Sequence, residues 1–460
     1  MLVLHIIPAL GPGGPTRTLA AFFEHAAALH PDVRHVVAVL TRTVHMPLAF
    51  RMRATGAEIV RAPTKADLHD RIAAADVVLV HFWNTPPLWR TLAADMPAAR
   101  YAIWAHIFGV HRPQVLNARV LARAAAVALT SPPPARLLPQ LQHAPVIPAM
   151  VDWRRTRTVT PEAHPGFNAD YIGTTNTGKI HPRFVSMMAR IAIPDLRVRV
   201  FGGPLEPAMA QAIDTGSAPE RFDIGGFVED IGAVLRTSDI YAYPLAPWTY
   251  ASCDVSLQEA MLAGVPPVIL PHGGIVRFVQ SGENGIVARS EDAFVEAIEY
   301  LYRHPEQRLR MARNARASAE AMFDPASHSA SLVEVLRHAR SLPEGKLLPG
   351  VAESVPSATL FLISQDWEEG EATSAVRAWL AGETERLTAY GRELPDEAFR
   401  LEGGVLQWRN ASPDDALLRV WTAHWLARSG RAGEATREMA AARTLGAPPG
   451  AFADTAHSDV

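Results

Sequence analysis

Short apolar runs alternate with longer amphipathic stretches along the first two thirds of the chain, and the whole alternation occurs twice. An apolar run of strand length suits a parallel sheet covered on both faces, and the stretch between two such runs supplies the crossover helix that parallel neighbours need. The first series predicts strands at Leu2–Ile7, His35–Leu40, Ile59–Ala62, Val77–His81, Ala102–Ala105 and Ala126–Thr130. From Pro148 to Pro165 the periodicity gives way to Pro, Thr and Arg, as in a hinge. The second series starts at Ala169–Gly173 and continues through Val198–Gly202, Asp223–Gly226, Ile240–Tyr243, Pro267–Leu270 and Ile286–Ala288. Helical spacing over Ser290–Tyr302, Glu306–Ala321 and Ser327–Ala339 is expected to close this second module. The expected class is therefore α/β, with Rossmann-like domains at residues 1–150 and 166–340.

A linker rich in Pro, Gly and Ser follows at Leu342–Ser357, and beyond it the strand signals stop. Asp414–Ser429 and Ala432–Leu445 read as two helices joined at Ser429-Gly430-Arg431, similar to one tetratricopeptide unit within a helical region at 358–450. A single unit cannot bury its own apolar face, so it is expected to dock on the body of the protein or to mediate an oligomer or protein contact. Asp454–Val460 is expected to be disordered.

Composition narrows the function classes. With 48% hydrophobic residues, 20% charged residues and a formal net charge of -3, the chain carries no overall signature for nucleic acid or for an acidic membrane surface. No apolar run approaches the length of a spanning helix, which leaves only peripheral membrane contact open. Met1–Leu10 lacks the basic leader of a signal peptide and reads as a first strand. Cys253 is the single cysteine, so neither an internal disulfide nor a Cys-based zinc cluster can form, in keeping with a cytoplasmic location.

The densest motif is Ser252–Gly264, in which Cys253-Asp254 precedes Leu257-Gln258-Glu259-Ala260-Met261-Leu262-Ala263-Gly264-Val265-Pro266. Downstream lie His272-Gly273-Gly274 and Gly282-Glu283-Asn284-Gly285; upstream lie Tyr171-Ile172-Gly173-Thr174, Lys179, and Gly225-Gly226-Phe227-Val228 with Asp239. Near the N-terminus stands Gly11-Pro12-Gly13-Gly14-Pro15-Thr16-Arg17, and His106 follows a strand. In order and spacing this set resembles the GT-B glycosyltransferases of the retaining family four, over about residues 1–340. The resemblance implies two facing Rossmann-like lobes and transfer of a sugar from a nucleoside diphosphate sugar (UDP- or GDP-linked) to an acceptor. The donor is then a cosubstrate, with no resident cofactor and no metal.

The residue types fit that chemistry. A carboxylate can accept hydrogen bonds from both ribose hydroxyls, each worth roughly 1.5–3 kcal/mol when charge-assisted, and Glu259 is the candidate. As the bond from the sugar to the diphosphate breaks, negative charge grows on the leaving phosphate, and Lys179 is the candidate to neutralise it. Backbone N–H groups at glycine turns that open helices add partial positive charge, which nominates Gly273-Gly274 and, on the opposing wall, Gly13-Gly14. The main chain of Phe227-Val228 is expected to hold the base edge, and Gly173, Thr174, Asp254 and Val255 to border the donor. His106, near Trp104 and Phe108, is the candidate to touch the donor sugar or the departing phosphate; His81, Trp83 and Asn84 are candidates for acceptor recognition.

Two positions depart from the resemblance. Ala251 stands where a first glutamate is expected eight residues before Glu259, with Asp254 the nearby carboxylate, and Thr174 stands where an arginine is expected, with Arg183 and Arg277 as alternative cations. These departures keep two other readings open: a catalytically impaired scaffold or binding protein, and a sugar-nucleotide epimerase or phosphorylase on the same fold.

Overall fold

The computed structural model describes residues 1–133, 139–348, 355–365, 377–378, 381–400 and 402–447. Its first sheet contains β1 (Leu2–Ile7), β2 (Arg34–Val39), β3 (Glu58–Arg61), β4 (Val77–Phe82), β5 (Tyr101–Ala105) and, after a small antiparallel hairpin of β6 (Val110–His111) and β7 (Gln114–Val115), β8 (Ala126–Leu129). The order is β3-β2-β1-β4-β5-β8 and every pairing is parallel. All six residues of β4 are buried, as a strand covered by helices on both faces requires.

The second sheet repeats the pattern with β9 (Phe167–Gly173), β10 (Leu196–Gly202), β11 (Phe222–Gly226), β12 (Ile240–Tyr243), β13 (Pro267–Ile269) and β14 (Ile286–Val287), in the order β11-β10-β9-β12-β13-β14. These pairings are parallel too. In each sheet the chain starts in the middle, winds one way and then the other. The reversal opens a crevice beyond the C-terminal ends of the central strands, where such folds bind ligands.

The helix Pro325–Arg340 corrects the expected domain limit. Its Leu332, Val333, Leu336 and Ala339 are buried with Val3, Phe22, Phe23 and Ile147 of the first lobe, and Ser329 Oγ donates to the carbonyl of Phe22 at 3.3 Å. Residues 325–340 therefore pack with the first lobe and not with the second. Periodicity reveals that a helix has an apolar face but not which surface covers it.

The region beyond the linker holds more helix than the expected pair: Ser357–Ser364, Thr384–Glu393, Asp396–Arg400, Val405–Ala411, Ala416–Arg428 and Ala432–Thr444. Phe361, Trp408 and Trp421 share one core with Leu88 and Trp89 of the first lobe. Asn84 fastens this joint. Its Nδ2 lies 2.9 Å from the carbonyls of Pro113 and Val115 and 3.1 Å from that of Ser364, while its Oδ1 accepts from Trp89 Nε1 at 2.8 Å. Asn117 Nδ2 adds a bond to the carbonyl of Ile363 at 2.8 Å. The segment Asp454–Val460 lies outside the described residues. Among the described residues no helix is long and apolar enough to cross a membrane.

Candidate functional site

The two crevices face each other across one cavity of about 700 Å³, lined by both lobes and by one residue of the helical tail. On the first-lobe wall the turn after β1 runs through Gly11–Gly14 into the helix Gly14–Leu29. Gly13 occupies the cap position without a side-chain bond, so a bare helix N-terminus borders the cavity and favours negative charge there. A Cβ on Gly14 would lie 3.3 Å from Val255 Cγ2, which shows how closely the lobes approach.

The second-lobe wall carries the charged groups. Lys179, in the loop after β9, places its Nζ 3.4 Å from Asp254 Oδ1. Asp254 precedes the helix Val255–Leu262 but leaves it uncapped; its Oδ2 accepts from the Tyr243 hydroxyl at 2.8 Å instead. One turn along that helix Glu259 is 3% exposed and bonded by Arg155 Nη1. Burial pushes its carboxyl up to about 7, against the opposing pull of Arg155 and then Arg17. Arg155 Nη2 also donates to the carbonyl of Glu229 at 2.7 Å. Burial and the charge of Arg155 in turn hold Arg17 below the usual guanidinium value. Gly173, Thr174, Phe227, Val228, Asp254 and Val255 all border the cavity, with Phe227 57% exposed beside it.

His106 borders the cavity from the first lobe, its ring stacked on Trp83 with centroids 4.3 Å apart. Behind it runs a line of histidines from neighbouring strands. His106 Nε2 meets His81 Nδ1, His81 Nε2 meets His5 Nδ1, and His5 Nε2 meets His35 Nδ1, each at 3.0 Å. Burial lowers all four: His81 to about 3, His35 to about 4, and His5 and His106 well below their ordinary value. Neutral rings can each donate one hydrogen bond and accept another, so the three contacts form without charge, while the far end of the line, His35 Nε2, is buried without a partner among the described residues.

Several nominated residues lie elsewhere. Gly273 and Gly274 do not line the cavity: Gly274 N donates to the carbonyl of Ala251 at 2.8 Å, and a Cβ on Gly274 would lie 2.2 Å from Ser131 Oγ. This turn buttresses the segment Thr249–Ser252 and presents no N–H of Gly274 to a ligand. Asn84 is the buried fastener described above, not an acceptor contact, and His81 is buried within the histidine line. Trp104 is buried and donates to the carbonyl of Ile147 at 3.1 Å. Asp239 bonds Asn168 N at 2.9 Å and pairs with Arg308, away from the cavity. Arg183 pairs with Glu291 and, like Arg277, is absent from the lining. Among the described residues the cations that line it are Lys179, Arg17 and Arg155. Arg155 belongs to no motif: it sits in the hinge, where Trp153-Arg154-Arg155 is its one local signal. Tyr250 and, from the tail, Glu402 also border the cavity, and neither belongs to a motif.

Comparison with known proteins agrees with this geometry. Residues 171–304 match the family model described as glycosyl transferases group 1. The fold is the GT-B fold. The Anabaena protein Alr3699/HepE in complex with UDP-glucose superposes with a TM-score of 0.59 at 17% identity, covering 74% of this chain and 100% of that one. A sucrose-phosphate synthase of Thermosynechococcus elongatus gives a TM-score of 0.56 at 16% identity, again covering 74% and 100%. By sequence, an alpha-monoglucosyldiacylglycerol synthase of Acholeplasma laidlawii is 25% identical over 130 residues, 28% of this chain and 32% of that protein. The putative colanic acid biosynthesis glycosyltransferase WcaL of Salmonella typhimurium is 29% identical over 103 residues, 21% of this chain and 25% of that protein. These sequence matches thus span a third or less of the curated relatives.

Proposed function

We propose that the protein transfers a hexose-type sugar from a nucleoside diphosphate sugar to an acceptor hydroxyl, with retention at the anomeric carbon. The observation that carries this reading is that Glu259 and Lys179 border one cavity, facing the bare N-terminus of the helix Gly14–Leu29. The nucleoside lies against the second lobe, with Phe227 and Val228 at the base and Glu259 at the ribose. Lys179 and the opposing glycine turn, joined by Arg17 and Arg155, meet the diphosphate. The bond from the anomeric carbon to the phosphate oxygen breaks and a bond to the acceptor oxygen forms on the same face. The acceptor's proton leaves with the nucleoside diphosphate. Lys179 stabilises the charge that grows on the leaving oxygen, in a site where fixed donors need no reorganisation. Because Alr3699/HepE is bound to UDP-glucose in its crystal structure, UDP-sugars are the first donors to try.

The test is donor hydrolysis and transfer with UDP-, GDP- and ADP-glucose, comparing wild type with Lys179→Ala and Glu259→Ala. Loss of one donor to a developing oxyanion costs about 10²–10³ in kcat, which is the expectation for Lys179→Ala. Glu259→Ala is expected to weaken nucleotide binding as well as turnover. Undiminished turnover in both variants would remove the basis of the assignment.

A further inference from the structure

Three carboxylate residues border the cavity among the described residues: Asp254, Glu259 and Glu402. Asp254 is engaged by Tyr243 and Lys179, and Glu259 by Arg155. Glu402 differs from both. Desolvation raises its carboxyl above the ordinary carboxylate value, against the pull of Lys179 and of the Tyr250 hydroxyl, while the residue as a whole keeps exposed surface and borders the cavity. It is contributed by the helical tail, 223 residues beyond Lys179 in sequence, as the difference of their numbers gives. Tyr250 immediately precedes Ala251, the signature position that lacks its expected carboxylate.

The turn that carries Glu402 is fastened to both lobes. Gln114 Nε2 donates to the carbonyl of Glu402 at 2.6 Å and to that of Asn84 at 3.0 Å. Gly403 adopts φ +82°, where a Cβ would lie 2.0 Å from the carbonyl oxygen of Asn84, so only glycine fits against the first lobe here. Arg400 Nη2 reaches the second lobe, donating to Thr177 Oγ1 at 2.8 Å. Loose surface turns are not held in this manner, and the effect of the fastening is to fix one carboxylate at the rim of the cavity.

We propose that Glu402 is a donor-binding residue that accepts hydrogen bonds from hydroxyls of the transferred sugar, so that the tail completes the active site in place of the carboxylate missing at Ala251. The chemistry at that end of the cavity favours it. The diphosphate calls for cations, which Lys179, Arg17 and Arg155 supply, whereas a hexose presents hydroxyl donors that need acceptors. The tail extends a fold whose relative Alr3699/HepE is covered over its full length by 74% of this chain, so about a quarter of this chain has no counterpart there. This inference rests on the donor reading above, and its test separates the two.

Binding of UDP and UDP-glucose, GDP and GDP-glucose, and ADP and ADP-glucose is measured by calorimetry on the full chain, for wild type, Glu402→Gln and Glu402→Ala. Glu402→Gln keeps the shape of the side chain and an acceptor for Tyr250, and urea unfolding of each variant reports on folding. The expected result is nucleoside diphosphate affinity within about twofold of wild type, with affinity for the sugar conjugate falling roughly ten- to a hundredfold in Glu402→Ala and less in Glu402→Gln. Unchanged affinity for both ligands, or an equal loss for both, would overturn the role of Glu402 while leaving the donor reading intact. A wild type that binds none of the six compounds would overturn the donor reading, and this proposal with it.

Discussion

Replacing Asn84 by alanine should loosen the tail from the first lobe, and the cost can be worked out from its partners. Asn84 is 1% exposed, and its amide serves carbonyls from the β6–β7 hairpin and from the first tail helix, besides accepting from Trp89. The carbonyl of Pro113 retains Gln365 Nε2 at 3.2 Å, but neither the Trp89 indole nor the carbonyl of Ser364 has a replacement within the fastener. A buried polar group left without a partner costs about 1–3 kcal/mol. Two such groups, plus the void left by the amide, put the loss at roughly 3–5 kcal/mol, a large share of the stability of an ordinary domain. The assay is urea unfolding followed by tryptophan emission, with protease cleavage in the tail as an independent probe. The expected result is an earlier transition and faster nicking beyond residue 348 at urea concentrations that leave the second lobe folded. A shift below about 0.5 kcal/mol, within the range of an unremarkable surface substitution, would refute the fastening role.

Two further predictions concern titratable groups in the cleft. Glu259 titrates near 7 in the folded protein against an ordinary value of 4.5 because it is buried, so the folded state holds its proton more tightly than the unfolded chain does. That stabilisation is complete below about 4.5 and is lost as the pH rises through 7, so Glu259→Gln should show a smaller fall in Tm between pH 5 and pH 8 than wild type in a thermal melt. Cys253 is buried, its thiol is pushed far up by desolvation, and Gln258 Nε2 donates to its sulfur at 3.0 Å. Native protein at pH 8 should therefore react with iodoacetamide at least about a hundredfold more slowly than a free thiol, and labelling at the free-thiol rate would contradict the burial.

The sheets were legible because the central strands are buried on both faces and so announce themselves as apolar runs; Leu2–Ile7 and Ile240–Tyr243 coincide with the expectation, and the other ten differ at one or both ends by one or two residues. The hairpin Val110–Val115 was not legible, since its two short strands, Val110–His111 and Gln114–Val115, flank Arg112-Pro113 and contain no apolar run. Within the site, Lys179 and Glu259 could be nominated because motif spacing places them on neighbouring loops and helices of one lobe. A glycine turn against a neighbouring backbone has the same composition as one against a phosphate, so composition nominates Gly273 and Gly274 for a cavity they do not line. The histidine line depends on strand register: His5, His35 and His81 are unrelated in sequence and come together only because β1 lies between β2 and β4. Glu402 is hidden for a stronger reason. Its position is set by a long-range bond from Gln114 Nε2 to its carbonyl, which no local pattern encodes.

The helix Pro325–Arg340 and the docked tail give the molecule an unusual order of assembly. The ribosome delivers the first lobe before the second, yet Phe22, Phe23 and Trp89 await cover from segments made hundreds of residues later. Residues 167–323 have their own core and can settle while the earlier half still shows apolar surface. Of the two lobes, the one synthesised earlier is thus finished later, and nascent chains stalled before residue 325 should be the species that chaperones hold.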